Sequence, residues 1–150
     1  MESTERIVNL LRQSKSFFIA TSADLQPNVR PFNAVASYDG KVYLYTNNRA
    51  SAYKHIQKNP KIGICALADE DRWLKITATA VFDDSIYAKR AMLDANPQLR
   101  KMYSEVDKIF EVFYLDNVTA KIHSNYAKPE VICKRTEKRV KKAKPADDAK

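Results

Sequence analysis

Glycine is nearly absent from this chain: two residues in 150, Gly40 and Gly63. Neither belongs to a Gly-x-Gly-x-x-Gly run or a P-loop, so no glycine-rich backbone can cradle a nucleotide phosphate. A phosphate bound here must be held by side chains and helix amides. Cysteine and histidine are equally scarce. Cys65 and Cys133 cannot make a disulfide framework, and with His55 and His123 as the only imidazoles the spacing needed for zinc is missing. Cys65 lies in the apolar run IGICALA and is expected to act as a small core side chain. No apolar run approaches the ~20 residues that cross a bilayer. The start, MESTERIVNLLRQ, lacks the basic start and apolar block of a secretory signal. The expected location is the cytoplasm, with no membrane partner.

What is present is enough for one core. The chain is 45% hydrophobic, and its net charge of +8 is unevenly spread. Residues 134–150 hold eight Lys/Arg against three acidic residues, +5 in all, leaving +3 for the rest. The basic character is therefore mainly that of a tail, whose sequence KRTEKRVKKAK suits weak, sequence-independent contact with nucleic acid. It has no interleaved aromatics for base stacking. The expected organisation is a folded domain over 1–130 and a basic, disordered tail over 131–150.

The hydrophobic pattern predicts a mainly β domain with three short helices and six or seven antiparallel strands. Ser3 or Thr4 is expected to cap a first helix with Ile7, Leu10 and Leu11 on its apolar face. Strands follow at 17–21, 29–38 and 41–46, the last two joined by a hairpin turn at Asp39-Gly40. A helix over 49–58 ends before Pro60. Further strands are expected at 62–68 and 73–82, then a helix over 84–95 stopped at Asn96-Pro97. A last hairpin, 109–115 and 118–124, would turn at Asp116-Asn117.

The stretch 29–60 carries the candidate chemistry. Arg30 offers a planar fork that matches phosphate oxygens, and Lys54 adds a point charge. The start of the 49–58 helix, near Ser51, offers free amides and the positive end of a dipole. Backbone atoms of 31–34 can read the imide and carbonyl edge of a flat ring. Thr46 and Asn47 stand ready for the ring edge or a polyol chain. Tyr43 and Tyr45 alternate in a strand, as packing residues do.

The segments FFIAT, PNVRPFNAV, YLYTNN, YKHIQKNPKI, WLKITATAVF, AMLDANP, MYS and IFEVFYL occur in this order. Together they resemble the pyridoxamine 5'-phosphate oxidase-like family of FMN-binding split barrels, in its small nitroimidazole-reductase-like branch. The resemblance implies an antiparallel split β-barrel of Greek-key type. It implies a homodimer with FMN sites at the subunit interface. By position, Arg30 and Lys54 would meet the phosphate, and Pro31, Phe32 and Asn33 would line the ring through their backbone. Tyr45, Thr46 and Asn47 would hold the ring edge and ribityl chain. Trp73 aligns where the family often brings in a residue from the second subunit, and an indole there would cover part of the flavin.

Two departures narrow the activity. The true oxidases carry an Arg-x-His near the C-terminus, absent here, and Val35 stands where they use a lysine. Vitamin B6 oxidation is thus disfavoured. Many members have glycine at the position of Ala78, and the Ser51–Lys54 spacing differs from the larger oxidases' Ser-x-Lys. The implied function is a flavoprotein oxidoreductase passing electrons from a reduced nicotinamide to a small-molecule acceptor. The alternative is a non-catalytic or stress-related binder of flavin, haem or a deazaflavin. Haem would need His55 or His123 as axial ligand.

Overall fold

The computed structural model describes residues 2–135. Helix α1 (Glu2–Gln13) leads into β1 (Phe17–Ala23), β2 (Gln26–Phe32), β3 (Ala36–Tyr38) and β4 (Lys41–Asn47). Helix α2 (Ser51–Lys58) precedes β5 (Lys61–Leu67) and β6 (Arg72–Asp83). Helix α3 (Ile86–Ala95) and a 3-10 helix (Pro97–Lys101) precede β7 (Phe110–Ser124) and β8 (Glu130–Cys133). The eight strands among the described residues form one antiparallel sheet in the order β2-β1-β5-β6-β7-β4-β3, with β8 beside β7. The count exceeds the six or seven expected.

Local chemistry explains the turns. Asp24 and Leu25 both take positive φ, 53° and 63°, and join Ala23 to its ladder partner Gln26. Asp39 and Gly40 do the same, at 51° and 70°, between Tyr38 and Lys41. Such two-residue loops match the right-handed strand twist. Ser85 caps α3, its hydroxyl accepting from the amides of Tyr87 and Ala88.

Four expectations need correcting. Residues 29–38 are not one strand: β2 ends at Phe32 and β3 starts at Ala36, with 33–35 outside the ladder. Residues 109–124 are not a hairpin. Asp116-Asn117 sits inside one long strand, because both halves of β7 pair with β6, and the extra residue appears as a register shift opposite Thr77–Thr79. Ser3 and Thr4 lie inside α1, where their hydroxyls donate to the carbonyls of Ile132 and Gly40. Residues 131–133, expected in the tail, belong to β8 and pair with β7. The rest of the expected tail, 136–150, lies outside the described residues.

The core has two parts. Alternating side chains of β1, β4, β5, β6 and β7 fill the barrel, and Ile7, Val8 and Leu11 of α1 join them. A second cluster sits between β3, β4, β7 and α3, with Tyr43, Met92, Leu93, Phe110 and Val112. Strand β4 is buried on both faces for this reason: Val42 and Leu44 enter the first cluster and Tyr43 the second. Asn96 is buried at the end of α3, and its amide donates to the carbonyls of Val35 (3.1 Å) and Met92 (3.0 Å). It ties the segment between β2 and β3 to the second cluster. Asn96→Ala leaves the Val35 carbonyl without its partner. It is expected to cost about 1–3 kcal/mol, read as a lower urea midpoint with unchanged slope.

Candidate functional site

Strand β2 opens the sheet order and β4 stands near its other end, yet closure of the barrel brings their C-terminal ends together. The result is a pocket of about 170 Å³ lined by Pro31, Phe32, Asn33, Tyr45, Thr46, Asn47 and Tyr103. Six of the nine residues expected at a cofactor site line it. The Phe32 ring packs toward the barrel core, 6.4 Å from Phe17. That orientation suits the expected role of backbone rather than side chain at positions 31–33. Thr46 is buried at the pocket floor.

Tyr103 went unnoticed in the sequence. It stacks on Phe110 at 5.0 Å and meets Tyr45 at 6.0 Å. Its hydroxyl accepts from the Asn47 amide at 3.3 Å. The three aromatics form one wall. Burial, then the neighbouring Tyr103, pushes the Tyr45 phenol above its ordinary value, so it is a neutral hydrogen-bonding group near pH 7.

Arg30, one residue before the pocket, faces α2. Its Nη1 donates to Thr21 Oγ1 at 2.8 Å, and its Nη2 stands 3.1 Å from His55 Nδ1. A guanidinium only donates, so the imidazole accepts at Nδ1 and carries its proton on Nε2. Thr21 is buried, and its hydroxyl also lies 3.4 Å from that nitrogen. Neither partner is a carboxylate. Arg30 forms no ion pair among the described residues, and partial burial alone moves its pKa down. It is a half-buried cation lacking a counter-ion, which is the environment an anion would complete.

Helix α2 begins after Ala50 with no side-chain cap, so its first amides remain open to an anion. Lys54 is exposed on this helix, next to His55, and does not line the pocket. Trp73 lies elsewhere in the chain. It stacks on His123 at 5.7 Å and borders an apolar hollow with Phe18, Val29 and Cys65. Cys65, expected in the core, is exposed, because Ile62, Ile64 and Ala66 take the inward positions of β5. Among the described residues, no group of three metal-ligating side chains is present. No helix among them is long and apolar enough to cross a membrane.

These features define a split-barrel protein with a small polar-and-aromatic cleft beside a half-buried arginine. The family model for pyridoxamine 5'-phosphate oxidase matches residues 3–112, and the chain belongs to that family. A NimC/NimA family protein from Clostridium acetobutylicum is 34% identical, with a TM-score of 0.80 over 85% of this chain and 92% of that one. General Stress Protein 26 from Bacillus anthracis shares the fold at 14% identity (TM-score 0.65; 81% of this chain, 94% of that one). So does HutZ, the haem storage protein from Vibrio cholerae, at 20% identity (TM-score 0.58; 75% and 89%). No curated protein matches the chain.

If Arg30 serves a ligand rather than the fold, losing its charge will be tolerated. Arg30→Met is expected to keep the chain folded, with a change in unfolding free energy within about 1 kcal/mol, because Thr21 Oγ1 and His55 Nδ1, 3.4 Å apart, keep each other as partners. Chemical denaturation monitored by circular dichroism checks this.

Proposed function

We propose that this protein is an FMN-binding oxidoreductase that acts as a homodimer. One observation carries the reading: the expected ring-binding residues at 31–33 and 45–47 line a common pocket beside Arg30, a cation with no carboxylate partner among the described residues. The donor set fits FMN. A phosphate needs fixed positive charge and free amides, which Arg30, Lys54 and the uncapped start of α2 offer. A ring edge needs alternating donors and acceptors, which the unladdered backbone at 33–35 and the side chains of Thr46 and Asn47 offer.

Hydride transfer between a reduced nicotinamide and a small acceptor is the chemistry that bound FMN supplies. The chain's own residues bind and orient. Arg30 is held by Thr21 and His55, and the Tyr45–Tyr103–Phe110 wall excludes water from one side of the pocket. The pocket contains no carboxylate or imidazole, so no general acid or base is assigned. Oxidation of a vitamin B6 phosphate is disfavoured further by Val35, whose side chain is buried in the barrel core.

The dimer rests on two observations. At about 170 Å³, the pocket is smaller than the ~300–1,000 Å³ of complete ligand sites, as expected of a site that a second copy finishes. On the outer face of β1, β2, β5 and β6, Phe18, Val29 and Leu67 are 46%, 68% and 68% exposed beside Trp73. A second copy would cover this apolar face. Trp73 would then reach the flavin of the other subunit. A haem reading draws no support from the imidazoles, since His55 bonds Arg30 and Thr21, and His123 stacks on Trp73 away from the pocket.

The test is a flavin titration followed by visible absorption and fluorescence, with sedimentation on the same samples. FMN is expected to bind the dimer one per protomer. Arg30→Ala with Lys54→Ala should weaken it at least tenfold, given about 1.5–3 kcal/mol per hydrogen bond to a charged group. Affinity should also fall as pH drops below about 6, where the phosphate loses its second charge. A protein that ignores FMN, or a flavin-saturated monomer, contradicts the proposal.

A further inference from the structure

The roomiest cavity described, about 580 Å³, shares no residue with the pocket above. It lies on the outer face of β5, β6 and β7. Its presence follows from the sheet. The register shift at Thr77–Thr79 breaks the β6–β7 ladder, and Asn117 takes a positive φ of 53° at the same place. Gly63, the partner of Thr77 in the neighbouring ladder, leaves the floor without a side chain. The main-chain amide of Arg135 donates to Thr119 Oγ1 at 3.3 Å, which holds the segment after β8 at the rim.

The lining chemistry is one-sided. Lys61, Lys134 and Arg135 bring three positive charges, and none is ion-paired to a described residue. Thr77, Thr79 and Thr119 add hydroxyl groups. Among the described residues, no lining residue is acidic and none is aromatic. Three cations around neutral donors, with no described carboxylate to balance them, attract a compact polyanion. The volume of about 580 Å³ falls in the range of small-molecule sites. The lack of aromatics argues against single-stranded nucleic acid, which is held largely by base stacking.

We propose that this cavity is a binding site for a small molecule carrying two or more adjacent anionic groups, of the di- or triphosphate type. Lys61 approaches it from β5, and Lys134 and Arg135 from the far side. The cavity shares no residue with the flavin pocket, and Gly63 also borders the apolar hollow assigned to the second copy, which places the cavity at the edge of that proposed interface.

The experiment titrates inorganic tripolyphosphate into the full chain at low ionic strength, with FMN present to fill the other anion site. Calorimetry gives the affinity and amide resonances give the location. The expected result is saturable binding with shifts centred on Gly63, Thr77 and Thr119. Lys61→Ala with Arg135→Ala should weaken it at least tenfold, while FMN affinity stays unchanged. Both residues are exposed, so the fold should persist; Lys61→Glu is a second variant expected to abolish binding. Absence of binding, equal binding by the variants, or shifts confined to Arg30 and His55 overturns the proposal. So does a short single-stranded oligonucleotide that binds far more tightly and displaces tripolyphosphate.

Discussion

The pairing of β6 with β7 is the constraint on which the rest of the molecule depends. These are the longest strands, 12 and 15 residues, and their ladder runs from Arg72–Ser124 to Asp83–Val112. On one side β6 carries β5, β1 and β2; on the other β7 carries β4 and β3. Every residue assigned to the pocket is placed relative to this pair. A single extra residue in β7, absorbed opposite Thr77–Thr79, changes the relation between the two halves of the strand. Such a bulge adds twist and bend, which a sheet needs in order to curve into a barrel.

Closure of that curved sheet creates the site. The ends of β2 and β4 are far apart in hydrogen-bonding order, yet both border one pocket. Helix α2 links β4 to β5 and packs against β1. It thereby sets His55 against Arg30 and leaves its own uncapped start nearby. Neither of the two groups that hold the Arg30 guanidinium is a carboxylate. A half-buried guanidinium without a described counter-ion is the feature on which the proposed phosphate site rests.

Much of this was legible in the sequence, for local reasons. Asp39-Gly40 marked its hairpin because a type I′ geometry favours those residues, and Pro60 and Pro97 marked helix ends. The pocket residues were legible because they fall in two short runs, 31–33 and 45–47. What the sequence hid depends on distant partners. Tyr103 reaches the pocket from a segment 56 residues beyond Asn47, and Thr21 and His55 meet Arg30 only through packing of α2 on β1. Cys65 looked like core because the outer face of its strand is itself apolar. Asp116-Asn117 looked like a hairpin because a bulge and a turn use the same residue types, and only the length of β6 separates them. Strand β8 was hidden by its basic surroundings, its pairing with β7 being invisible to composition.

The most direct test of this account is a crystal structure of the protein grown with FMN. It should show a dimer with the flavin phosphate within hydrogen-bond distance of Arg30 and the ring edge against residues 31–33 and 45–47. A flavin seated elsewhere, or a phosphate site from which Arg30 remains turned toward only Thr21 and His55, would contradict it.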